Sequence, residues 1–497
     1  MSGLKKMVLP GDPRIDGLLH GGNQWTGRVT FSIATASSVW NYPNDIKWPS
    51  SDHYGVANAV QAANFRTAFD TWASYTNLTL TEVADNATSS GDIRIALSVD
   101  ETRPDFSFAY YPGKGVGGDI WMNNGGRQAG NEYAVGSTYY ALLLHEIGHS
   151  LGLKHPFEGT SENPAVLDKE HQITSYTGMA YDDLVDNPDA GTGTGATTPM
   201  VYDILAIQYL YGRNTSYKAG DTSYAFTDQK IYYETVYDAG GHNEFVYSGA
   251  KDAIIDLNEG QGSYIGQENW IYDYATWKAI DKIPNVWIAY DTLIHDARSG
   301  SGNDILIGNA ADNVLSGGAG IDTAVYSGKF ATYQVARQDG VIRVSSKADA
   351  NDTLIDIERV QFGDVSVAFD VDGREGQAYR IYQAAFDRAP DQGGLGYWIN
   401  AMDHGTTLGS VAEFFVGSDE FISKYGSAAD NGDIVTRIYS NVLHRAPDEE
   451  GLAHWMKLLD SHTLTVAEVL TSFSESAENR AALVGIMEQG MVYEPYG

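Results

Sequence analysis

Cysteine is absent from all 497 residues. Disulfides and thiolate metal sites are thereby excluded, so whatever stiffens the chain beyond its cores must be bound ions or plain packing. Basic residues are also scarce, 32 Lys and Arg against 65 Asp and Glu, which leaves a net charge of −33. An envelope of that sign repels phosphate and argues against nucleic acid as a partner. No run of eighteen apolar residues occurs, so no helical membrane span is expected. The segment Met1–Met7 has two lysines but no apolar stretch after them, and no secretory signal peptide is expected there. The length suits about three domains, each able to bury a core. The surplus carboxylates are either a solvated surface or a set of cation ligands; glycine and aspartate clustered at a fixed period would favour the second.

The stretch richest in chemistry is His145-Glu146-Ile147-Gly148-His149-Ser150-Leu151-Gly152-Leu153-Lys154-His155. Helix residues four apart share a face, so His145 and His149 can each present a ring nitrogen to one tetrahedral zinc. Gly152 permits the backbone break that ends the helix and swings His155 back as third ligand. Glu146 falls beside them, placed to act as base toward a water at the open fourth position. The helix itself is well specified. Ser137 and Thr138 are candidate N-caps, and Leu143, Leu144, Ile147 and Leu151 form its apolar stripe.

This pattern resembles that of the metzincin zinc endopeptidases. A second segment, Thr174-Ser175-Tyr176-Thr177-Gly178-Met179-Ala180-Tyr181, resembles the Met-turn of the serralysin branch, with Met179 lying 24 residues after His155. The resemblance implies that Met179 is a hydrophobic floor beneath the metal and that Tyr181 is a fifth zinc ligand or a stabiliser of the reaction's oxyanion. The family usually has serine between these two residues; this chain has Ala180.

The fixed period sought above is present. Ser299–Ile307, Gly308–Ser316 and Gly317–Val325 are successive nonapeptides close to G-G-x-G-x-D-x-U-x, the repeat of the calcium-binding parallel β-roll. Turns alternate sides, so the first and third repeats, 18 residues apart, are expected to clamp an ion between Gly300, Gly302, Asp304 and Gly318, Gly320, Asp322. The middle repeat departs from the pattern at Ala311 and Asn313.

With the roll in place, the resemblance to serralysins extends over most of the first 365 residues. Phe65, Phe69 and Trp72 mark a core helix within Val56–Tyr75, and Thr79–Val83 and Asp92–Ala96 read as strands. Gly118–Asn123 is similar to the family's edge strand above the cleft, where an extended substrate would pair. Pro199 opens a helix through Asp203–Gly212 that resembles the one closing the catalytic domain. Asp352–Phe362 resembles the strand pair closing the second domain. The tail differs in texture and repeats itself: Arg388-Ala389-Pro390-Asp391, Gly394-Leu395 and Trp398 recur as Arg445-Ala446-Pro447-Asp448, Gly451-Leu452 and Trp455. Its helical periodicity predicts two similar units, resembling a domain of unknown function attached to proteins of bacterial type I secretion.

The expected fold is α+β and multidomain: a metzincin zinc-peptidase domain over 1–225, a calcium-binding β-roll and β-sandwich over 226–370, and a helical tandem repeat over 371–497. The expected function is a secreted, serralysin-like zinc metalloendopeptidase with one catalytic zinc and several structural calcium ions. Glu146 and Tyr181 carry the catalysis in this reading, His145, His149, His155 and Tyr181 hold zinc, and Gly152 and Met179 are structural. Its partners would be protein or peptide substrates and the type I secretion machinery, without nucleic acid. It would be extracellular, exported independently of a signal peptide, with the cell surface as a further location. The alternative is a calcium-dependent surface-layer or adhesion protein whose protease domain processes only itself.

Overall fold

The computed structural model describes residues 2–40, 54–98, 107–123, 133–180, 184–186, 193–273, 276, 278–346, 351–426 and 429–496. The chain is mixed α/β, with a β-rich middle region and a helical C-terminal region, and it divides into two compact units, Met1–Asp296 and Ala297–Gly497.

In the first unit a six-stranded sheet backs the helices. Its strands are β1 (Arg28–Ile33), β2 (Tyr54–Gly55), β3 (Thr79–Glu82), β4 (Ile93–Ser98), β5 (Phe108–Ala109) and β6 (Ile120–Asn123), in the order β3-β1-β4-β6-β5 with β2 paired to β4. The long pairs β1–β3, β1–β4 and β4–β6 are parallel. Such pairs are buried on both faces, in keeping with the fully buried Ile93 and Ile95. The sequence resemblance placed 118–123 at the sheet edge. Here β5 pairs antiparallel outside β6, Ala109 opposite Ile120 and Phe108 opposite Trp121, because Gly118, at φ +89°, turns the chain back into a hairpin. The edge position therefore belongs to Phe108–Ala109 among the described residues.

Helix α1 (Ala59–Ser74) starts with a capping box between Asn58 and Gln61, and it buries Phe65, Phe69 and Trp72 as the periodicity predicts. Phe69 stacks on Phe31 of β1 at 4.2 Å, while Trp72 Nε1 donates to Leu144 O at 3.1 Å. Through that bond α1 is keyed to α2 (Thr138–Leu151), the helix bearing the histidines. Helix α3 (Val201–Tyr211) completes the group. Tyr233, Ile271, Ile283 and Trp287 join the same core, so the segment after residue 225 packs with the helices of this unit.

In the second unit, strands β7 (Ile305–Ile307), β8 (Val314–Ser316) and β9 (Thr323–Val325) are the three nonapeptides. β7 and β9 pair in parallel with Ile305 opposite Thr323, the 18-residue step expected of a roll. A hairpin, Tyr333–Gln338 with Val341–Ser346, interrupts the repeat. Asn351–Ile355 then stacks on β8 and Arg359–Gln361 on β9, again in parallel. Among the described residues the tail forms two sets of four helices. Asp391 and Asp448 cap equivalent helices, Arg388 pairs with Glu420 as Arg445 does with Glu478, and Asp387 and His444 end equivalent helices in the left-handed conformation. The strand Met491–Tyr493 returns to pair with Ser366–Ala368, so tail and roll share one sheet. No helix among the described residues is long and apolar enough to cross a membrane.

Candidate metal centre

Helix α2 begins where Ser137 Oγ accepts the Tyr140 N–H at 3.1 Å, and its stripe of Leu143, Leu144, Ile147 and Leu151 is buried. That register leaves His145 and His149 side by side on one face, 7% and 6% exposed. Gly152 ends the helix at φ +111°, with its N–H directed at the Gly148 and His149 carbonyls. A side chain there would be strained by the backbone angle, and a Cβ would come within 2.3 Å of Met7 Cε. The chain then reverses, Lys154 N donating to Leu18 O at 2.7 Å, and His155 arrives opposite the helix.

The three imidazoles converge through Nε2. His155 Nε2 is 3.2 Å from that of His145 and 3.1 Å from that of His149. Each Nδ1 faces an oxygen: Gly178 O at 2.7 Å from His145, Leu153 O at 2.8 Å from His149, and Glu158 Oε2 at 2.9 Å from His155. Donation from the Nδ1–H of His145 and of His149 leaves a lone pair on each of their Nε2 atoms, and both face the Nε2 of His155. A cation satisfies that arrangement. Zinc with nitrogens at 2.0–2.1 Å in a tetrahedron would space them about 3.3 Å apart, close to what is seen. Burial pushes His145 down to about 4 and holds His149 well below the ordinary range, so both are neutral ligands at neutral pH.

Glu146 is 3% exposed, and among the described residues its Oε2 has no hydrogen-bond partner. Burial raises it to about 8. Met179 is buried below α2, where only a glycine at 148 leaves room for it. Tyr181 lies outside the described residues.

Two residues of this site carry no signal that sequence reasoning used. Lys154 is fully buried, and its ammonium donates to Gly17 O at 2.6 Å and Ala165 O at 2.8 Å. It thereby fastens the loop bearing His155 to two distant segments. Asp203, in the first turn of α3, is 1% exposed and accepts from Gly178 N at 2.6 Å, Met200 N at 2.9 Å and Thr177 Oγ1 at 2.5 Å. A second group of metal-binding types, Asp168, Glu170 and His171, is solvent-facing.

In the roll, the two triplets of residues meet. Gly318 and Gly320 have φ of +92° and +136°, and a Cβ on either would fall 2.2 Å from Gly300 O or 2.0 Å from Gly302 O. Asp304 N donates to Asp322 Oδ1 at 2.8 Å, and both aspartates are fully buried. The ladder runs on: Asp322 N donates to Glu358 Oε2 at 2.9 Å and, on the other side, Asn313 N to Asp352 Oδ1 at 2.9 Å.

Comparison with known proteins agrees with this geometry. Residues 39–174 match the matrixin family, residues 203–421 the serralysin C-terminal family of M10 peptidases, and residues 412–483 a domain of unknown function, DUF4214. Among curated relatives, a serralysin of Proteus mirabilis is 32% identical over 327 residues, 59% of this chain and 63% of that protein. Serralysin A of Dickeya chrysanthemi is 34% identical over 271 residues, 50% and 53% of the two chains. Metalloprotease AprA of Pseudomonas entomophila (strain L48) is 30% identical over 329 residues, 60% and 64%. The chain thus spans between 53% and 64% of the length of these relatives. With three histidines converging as zinc ligands would and two M10 models matching in tandem, the chain is similar to the serralysin-like M10 metallopeptidases.

Proposed function

We propose that this protein is a secreted zinc endopeptidase that hydrolyses peptide bonds in extracellular proteins and is stabilised by calcium. The observation that carries the reading is the convergence of the His145, His149 and His155 Nε2 atoms, with the rings of His145 and His149 held from behind by backbone carbonyls. Bound zinc supplies a Lewis acid that polarises a scissile carbonyl and lowers the pKa of water. Glu146, a buried carboxylate next to His145 on the same helix, takes the proton of the attacking water and returns it to the leaving amine. Tyr181 is assigned the oxyanion or a fifth zinc ligand. Met179 and Gly152 shape the floor and the turn.

Calcium is assigned to the turns of Gly300, Gly302, Asp304, Gly318, Gly320 and Asp322. The peptidase function is assigned to 1–225, the roll to 226–370 and the helical repeats to 371–497. Extracellular location and type I export follow from the resemblance to serralysins. Digestion of casein by zinc-loaded protein, abolished by a zinc chelator and restored by zinc, is the expected result. Zinc-loaded, folded protein that leaves casein intact would overturn the reading.

A further inference from the structure

The zinc ligand His145 ends a chain of hydrogen bonds that all run in one direction. Its Nδ1–H donates to Gly178 O at 2.7 Å. The N–H of the same peptide group, on Met179, donates to Thr177 Oγ1 at 3.1 Å. Thr177 Oγ1 donates in turn to Asp203 Oδ1 at 2.5 Å. Thr177 is fully buried and Asp203 is 1% exposed. Among the described residues no cationic side chain pairs with Asp203, whose other oxygen is taken by the Gly178 and Met200 N–H groups. A buried carboxylate without a counter-ion is costly, and tying down the start of α3 could be done by a neutral side chain.

From this geometry we infer that Asp203 and Thr177 are positioning residues for zinc, forming a relay that carries the carboxylate's charge through a hydroxyl and the 178–179 peptide to His145. Each donation polarises the next group, so the anion at one end makes the imidazole Nε2 at the other a stronger donor to the metal. It is the arrangement of a carboxylate behind a metal-bound histidine, with a hydroxyl and a peptide inserted between them. The inference rests on the zinc reading above.

Thr177→Val removes the hydroxyl while leaving the Asp203 bonds to Gly178 N and Met200 N. Zinc affinity, from competition with a chromogenic chelator, is expected to fall about 10-fold, in the range seen when outer partners of metal ligands are lost. The visible bands of the cobalt-substituted protein should shift with it. Thr177→Ser keeps the hydroxyl and should restore both, which a packing role alone would not do. Asp203→Asn, which keeps size but removes charge, should weaken zinc in the same direction and serves if Thr177→Val does not fold. Zinc affinity within twofold of the parent in the folded variant, or equal loss in the Val and Ser variants, would overturn the relay. A parent that takes up no zinc would instead sink the metal reading itself.

Discussion

Gly148 and Met179 occupy each other's space: a methyl group on Gly148 would lie 2.6 Å from Met179 Sδ and 3.3 Å from Trp72 Cζ2. The glycine between the two helical histidines is thus what admits the methionine beneath them. Gly148→Ala should gain about 1 kcal/mol of helix propensity and lose more through overpacking, for a net destabilisation of about 1–2 kcal/mol. Urea unfolding of the metal-free protein measures it. A variant more stable than the parent would mean that Met179 moves aside freely and is not held as a floor.

Glu146→Gln separates binding from chemistry. The amide is the same size as the carboxyl and the three imidazoles are untouched, so zinc content and melting temperature should stay near parental values. Peptidase activity should fall by about 10²–10⁴-fold, the usual contribution of a positioned acid–base group. Casein cleavage near the parental rate would remove Glu146 from the mechanism.

The zinc ligands were legible because helix geometry is written directly in sequence spacing. His145 and His149 need only α2, and His155 needs only the turn at Gly152. Asp203 and Lys154 were not legible, for a physical reason. Their partners are backbone atoms brought near by tertiary packing: Gly178 N stands 25 residues from Asp203 and Gly17 O stands 137 residues from Lys154. Nothing in local composition distinguishes such a lysine from a solvated one. The roll shows the same boundary. Its first rungs follow a nonapeptide, but Asp352 and Glu358 continue the ladder only because the hairpin 333–346 is looped out, which breaks the period. The strand 118–123 was recognised, while its place inside β5 was not, since pairing order is a property of the sheet.

Asp203 also gives the protein a pH dependence of definite sign. Burial raises its carboxyl from 3.8 to about 6, against the three donated hydrogen bonds that lower it. Between those values the native state holds more protons than the unfolded chain. The group's stabilising contribution is therefore fully present below about pH 4 and is lost as pH rises through about 6, by up to roughly 3 kcal/mol. Asp203→Asn lacks this titration. In metal-free protein, the stability of the parent relative to the variant should decline from pH 4 to pH 7 when urea unfolding is followed. Parallel profiles would mean that Asp203 titrates in the folded protein as it does in an open chain.

Calcium should matter most in the unit Ala297–Gly497. Asp304 and Asp322 are both fully buried on consecutive rungs, and Glu358 follows on the next. Carboxylates stacked this closely repel one another, and taking them out of water adds to the cost. A calcium ion seated among them and the inward carbonyls of Gly300 and Gly302 offsets both, and at about 100 times its dissociation constant it would add roughly 2.7 kcal/mol. Magnesium, which demands a small octahedral shell, should not substitute. EGTA is therefore expected to lower the melting temperature of this unit by several degrees, with recovery on adding calcium and none on adding magnesium. Asp322→Asn should lower it in the presence of calcium and blunt the response to EGTA. A melting curve unchanged by EGTA, with calcium shown to be absent, would leave the rungs as β-turns held by their hydrogen bonds alone.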